Sequence, residues 1–173
     1  MLRKADPLRK AVETLYVVRL LRDRISRIIS RIDERKAELT RRAVELETTG
    51  ERYLAKRYAE EAARLGEFLK RLSTVQLVLE KVDLAIQHAV VMRDLANLSV
   101  ELSQLLRDVS RLPEMRIPDL GVMFAELESC VKELSALTIT QGISLSYNPP
   151  SSSEVSKILE EAREILKKNL EVS

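Results

Sequence analysis

An apolar pattern of helical period constrains this chain more than any other feature. It runs through Leu8, Val12, Leu15, Val18, Leu21, Ile25, Ile28, Ile32, Leu39, Ala43 and Leu46 with no Gly or Pro among them. Asp6 can accept hydrogen bonds from the free amides of a first turn, and Pro7 stands where a missing N–H does no harm. The pattern predicts one helix of roughly 60 Å, at about 1.5 Å of rise per residue. Gly50 can take the left-handed conformation that ends such a helix, and Thr49 is expected to cap the next one. A second seam follows at Leu54, Tyr58, Ala62, Leu65, Leu69, Leu72, Leu79, Val82, Ile86 and Ala89, and continues less regularly through Leu95, Leu98, Leu102, Leu105 and Val109. Two long seams joined by a short turn predict an antiparallel hairpin, a core of residues 1–110 in an all-α fold.

The remaining chain reads as shorter pieces. Pro113 and Pro118 break the second helix and make 111–118 a hinge. Residues 119–137 carry a short helix with Leu120, Met123, Phe124, Leu127, Val131 and Leu134 on one face. Residues 138–152, with Gly142, Pro149, Pro150 and serines, read as a flexible linker in which Ile143, Leu145 and Tyr147 could form a brief strand. Ser151 and Glu154 have capping-box spacing, and Lys167 and Lys168 complement the dipole of a final helix within 153–173. Its stripe of Val155, Ile158, Leu159, Ala162, Ile165 and Leu166 suits either a partner's helical groove or the chain's own hairpin.

Composition agrees with thin seams rather than a thick core: 3% of the 173 residues are aromatic and none is Trp. One cysteine, Cys130, cannot form a disulfide within the chain, and no apolar run suits a secretory signal, so a reducing cytosol is expected. No window approaches the roughly eighteen apolar residues that span a bilayer, so membrane contact would be peripheral.

The net charge of +2 conceals a polarity. Residues 1–44 hold 13 Lys and Arg against 6 Asp and Glu, or +7, whereas 45–173 hold 16 against 21, or −5. Arg24, Arg27, Arg31, Arg35, Arg41 and Arg42 fall within about 120° of a helical wheel, roughly opposite Ile25, Ile32, Leu39 and Ala43. That arc is either a solvated face or a footing on an anionic surface, where each basic residue contributes about 1 kcal/mol. Arg9 and Lys10, with Arg3 and Lys4, extend it. Nucleic acid is not expected as the polyanion, because neither a compact recognition motif nor an aromatic stacking platform accompanies the charge.

The inventory also argues against catalysis, and no cofactor or metal is expected. His88 and Cys130 lack a partner base or nucleophile motif, no phosphate-cradling glycine loop occurs, and no Glu-x-x-His pair is present. His88 reads as a packed or interfacial residue and Cys130 as a small buried apolar group.

The segment ERYLAKRYAEEAA at 51–63, with Ala55, Tyr58, Ala59 and Glu61, and LPEM at 112–115 followed by an amphipathic helix, resemble the ESCRT-III family, and within it the archaeal CdvB cell-division proteins. The likeness covers about residues 8–137 and lies in the order of features: basic first helix, Gly-containing turn, second helix, proline break, shorter helices. It implies filaments, homopolymeric or shared with paralogues, that assemble peripherally on anionic membrane and constrict it during cytokinesis. It also implies remodelling by an AAA ATPase that grips the C-terminal region. Carried over, the arc from Arg24 to Arg42 with Arg9 and Lys10 becomes the membrane face, and Ile158, Leu159, Ala162, Ile165 and Leu166 become the docking element. The family's docking order Leu-x-x-Arg-Leu is absent, since Arg163 precedes Glu164. With no winged-helix-like segment within 173 residues, the resemblance implies a short paralogue that co-assembles with a longer one. Apart from the resemblance, long seams with few aromatics also suit a soluble helical-hairpin stalk or adaptor.

Overall fold

The computed structural model describes residues 6–140 and 153–170. The expected linker beyond 140, the possible strand at Ile143, Leu145 and Tyr147, the cap at Ser151 and the basic residues Arg3 and Lys4 lie outside the described residues. Within them the chain is helical, with α1 at Pro7–Thr48, α2 at Arg52–Met92, α3 at Leu95–Ser110, a 3₁₀ turn at Pro113–Arg116, α4 at Pro118–Thr140 and α5 at Glu154–Leu170.

Local chemistry sets most of the boundaries. Asp6 accepts a 2.9 Å hydrogen bond from the Leu8 N–H, and Pro7 opens α1. Gly50 takes φ +84°, and the Glu51 N–H reaches back 2.9 Å to the Leu46 carbonyl, which closes the last turn. Thr49 does not cap α2 as expected; its hydroxyl donates to the Leu46 carbonyl and so serves the helix that is ending. Ser153 stands before α5, its hydroxyl accepting from the Ser156 N–H at 3.4 Å.

The second seam is not one helix. Arg93 adopts φ 57°, ψ 35°, and the Asp94 N–H bonds to the Ala89 carbonyl, so the chain turns and restarts as α3. No Gly or Pro marks this break; the apolar face of α3 is buried against α4 and α5, and that packing stabilises the left-handed residue. The proline segment forms a packed turn: Glu114 and Met115 are buried, and Glu114 is paired with Arg71 of α2. A Cβ at Gly121 would stand 2.9 Å from the Met115 carbonyl oxygen, so a glycine is needed where α4 leaves the turn.

α1 and α2 form the antiparallel hairpin; α4 packs along α1, α5 along α2, and α3 touches both. One core includes Val18, Leu21 and Ile25 of α1, Leu79 and Ile86 of α2, Leu102 of α3, Leu127 of α4 and Leu159 of α5. These layers cover only the end of the hairpin nearest the start of α1. Beyond Ile25 the sole buried residue of α1 is Leu39, and the buried residues of the matching stretch of α2 are the small Ala55 and Ala62. Val12 and Leu54, expected in the seams, are instead exposed, and their neighbours Ala11 and Ala55 occupy the buried positions.

Asp83 sits in the hairpin seam, 2% exposed. It accepts hydrogen bonds from Arg22 at 2.8 Å, Arg19 at 3.1 Å and Gln87. Burial alone would raise its pKa, but the bonds from Arg19, Gln87 and Arg22 outweigh it and hold the carboxyl below its ordinary value. A carboxyl with a lowered folded pKa stabilises fully above the unfolded value near pH 4, and the contribution is lost as pH falls through the folded value. Asp83→Asn should therefore lower stability at neutral pH by about 2 kcal/mol and flatten the loss of stability below about pH 4, as read by denaturant titrations across pH.

Candidate functional site

The arginine arc emerges on α1 as expected from its spacing, but its members differ in surroundings. Arg27, Arg31, Arg35, Arg41 and Arg42 are exposed, whereas Arg24 is half-buried at the edge facing α4. Arg24 lies 3.9 Å from Asp119 at the start of α4. Near the other end of the same contact, the half-buried Lys10 pairs with Glu133 of α4 and, at 2.9 Å, with Glu13. The hydrogen bonds that Lys10 donates to Glu133 and then to Glu13 raise its pKa well above its ordinary value, so this cation stays charged at any physiological pH. Arg9 is exposed and 3.8 Å from Glu13. Two members of the proposed footing are thus engaged by α4, whose residues 118–140 hold four acids against one lysine.

Acids also interleave with the arc. At about 100° per residue, Asp23, Glu34 and Glu38 project into the same sector as the arginines. Asp23 is 3.1 Å from Arg27, and Glu38 is 4.0 Å from Arg35. Arg42 stacks over the Tyr58 ring, 5.7 Å from its centroid, and ties the two arms near the tip. The arc therefore has a net positive charge but not a continuous row of free cations. Such pairs are exposed and contribute little to stability, so they can exchange for an external anion.

The candidate docking stripe of α5 is turned inward. Ile158, Leu159, Ala162 and Leu166 are buried and Ile165 is half-buried, packed on α2 and α3. Lys81 of α2 holds Glu161 at 2.9 Å, and Asn97 of α3 donates to the hydroxyls of Ser153 at 3.1 Å and Ser156 at 2.7 Å. Of the two readings left open by the sequence, this arrangement is the packing of α5 on its own hairpin. Cys130 is half-buried against the core, and burial pushes its thiol pKa up. His88 is likewise half-buried. Among the described residues, no helix is long and apolar enough to cross a membrane.

Two groups escaped the sequence reading. The Arg19–Arg22–Asp83 cluster was hidden because its partners lie more than sixty residues apart. The second is a row of exposed apolar residues on α1, Val12, Tyr16 and Leu20, at 51%, 64% and 40% exposure. Its signal was available: residues 11–21, AVETLYVVRLL, contain only two charged residues, too few for a helix with one wet face.

Placing a carboxylate at Leu159, which is fully buried, should cost about 3 kcal/mol or more locally. Leu159→Asp is expected to accelerate amide exchange across 154–170 by about a hundredfold while the α1–α2 seam around Leu21 and Val82 remains protected, as read by hydrogen-exchange mass spectrometry.

Among curated proteins, the chain is similar to Cell division protein B1 of Sulfolobus acidocaldarius, with 34% identity over 165 residues, 91% of this chain and 74% of that protein. No protein-family model and no solved structure matches it. The identity covers nearly all of this chain, and the chain belongs to the CdvB family of archaeal ESCRT-III-type cell-division proteins.

Proposed function

We propose that this protein acts in archaeal cell division by assembling at the membrane rather than by catalysis. Copies of the chain, alone or with paralogues, associate into filaments on an anionic bilayer at the division site and constrict it. The observation that carries this reading is the outward cluster of Arg27, Arg31, Arg35, Arg41 and Arg42 on α1 of a CdvB-family hairpin. Arg9 adds to it directly, and Arg24 and Lys10 join it when α4 loosens its hold. A released α5 would offer Ile158, Leu159, Ala162, Ile165 and Leu166 to an AAA ATPase.

A soluble helical-hairpin adaptor is the second reading, favoured by the burial of that same α5 face. Sedimentation with anionic and neutral vesicles, at low and high salt, with electron microscopy of the pellets, separates the two. The division reading expects salt-sensitive pelleting with anionic lipid only, and filaments or deformed vesicles. It also expects the triple substitution Arg27→Glu, Arg31→Glu, Arg35→Glu to weaken binding at least about a hundredfold with helicity unchanged, since each basic residue contributes about 1 kcal/mol. Protein that stays monodisperse under every condition, including with a longer paralogue present, would support the adaptor.

A further inference from the structure

The α1 helix is apolar on two sides near its start. One side is the core face, where Ala11, Val18 and Leu21 are fully buried. The other is the row of Val12, Tyr16 and Leu20, spaced i, i+4, i+8 and uncovered. A helix segment that is apolar nearly all round needs cover on both sides. The row lies in the same outward sector as Arg9, Arg27 and Arg31, at about 100° per residue. Between Arg9 and Arg31 the acids in that sector are Glu13 and Asp23, already engaged by Lys10 at 2.9 Å and Arg27 at 3.1 Å.

We infer that Val12, Tyr16 and Leu20 insert into the interfacial layer of an anionic bilayer, flanked by Arg9, Arg27 and Arg31, so that binding has an apolar component besides the electrostatic one. The inference rests on the membrane reading above and assigns the depth and orientation of α1 on that membrane. Charge complementarity selects lipid as the occupant: guanidinium groups lie on either side of the apolar row along the helix, where headgroup phosphates would surround inserted side chains. Tyr16 is suited to the boundary, with an apolar ring and a polar tip. A second copy of the chain fits less well, because three side chains on one helix offer far less than the roughly 800 Å² per partner of a stable protein interface.

The chain has no Trp, so Tyr16→Trp introduces a single indole reporter. The full chain carrying Tyr16→Trp is mixed with vesicles of phosphatidylcholine and phosphatidylglycerol, with and without bromine on the acyl chains near the carbonyl. Val44→Trp, on the bare arm of α1, is the control, since Val44 is exposed and outside the sector. The expected result is a blue shift at position 16 and quenching by bromine to about half or less, with position 44 unaffected. The triple variant Val12→Ser, Tyr16→Ser, Leu20→Ser, whose positions are exposed and should leave helicity and melting intact, is expected to bind about tenfold or more weakly and to lose the salt-resistant fraction. Binding without quenching at position 16 and without an effect of the serines would overturn the insertion and leave the arginine footing standing. A blue shift without bromine quenching would place the row against another copy, overturning it equally. If no vesicle binds the unsubstituted chain or the Tyr16→Trp variant, the membrane reading itself fails, and insertion fails with it.

Discussion

Everything else in this fold is seated on the register that Asp83 sets between the two long helices. Seams of Leu, Val, Ile and Ala have little preference among alignments one turn apart, about 5.4 Å along the axis. A carboxylate buried between Arg19 and Arg22 does, because any slip leaves it in the seam without its cations. Gln76, bonded to the Arg22 carbonyl and to Ser26, repeats the same alignment two turns away. Once the arms are in register, Lys10 and Arg24 stand at the two ends of a groove that receives α4, and Lys81 stands where it meets α5. The hairpin thus becomes asymmetric along its length. One end is a helical bundle with several layers; the other is a bare pair of helices held by Leu39, Ala55, Ala62 and the Arg42–Tyr58 contact, with far fewer buried groups to resist local opening.

Features encoded within one or two helical turns were legible in the sequence. The start of α1 at Asp6 and Pro7, its end at Gly50, the interruption near Pro113 and the apolar stripe of α5 follow from residues that act on their own backbone. The turn at Arg93 was not legible, because the local sequence allows the helix to continue and only the burial of α3 against α4 and α5 stabilises the left-handed residue. The same holds for the seam positions: a period of 3.6 does not distinguish Val12 from Ala11 until the partner helix fixes the face, and the small residue proved to be the buried one. The arginine arc was visible by spacing, and so was the place of Asp23, Glu34 and Glu38 in its sector, but which acids pair with which arginines depends on side-chain geometry that spacing does not give.

Charge and apolarity are not spread evenly over the outer side of α1, and this bears on how such a molecule could rest on a surface. Along the bare arm the sector holds Glu34, Arg35, Glu38, Arg41, Arg42 and Glu45, which balance in sign. Toward the thick end it holds Arg9, Glu13, Asp23, Arg24, Arg27 and Arg31, with cations in excess, and there alone the row of Val12, Tyr16 and Leu20 accompanies them. The acids of α4 flank that same end and take up Lys10 and Arg24, so the net field α1 presents depends on whether α4 keeps its place. Exposed ion pairs of this kind are worth little individually, and an anionic surface competes for the same cations. Any attraction of α1 to such a surface and the grip of α4 on α1 would therefore be opposed through shared residues, so that strengthening either one would weaken the other.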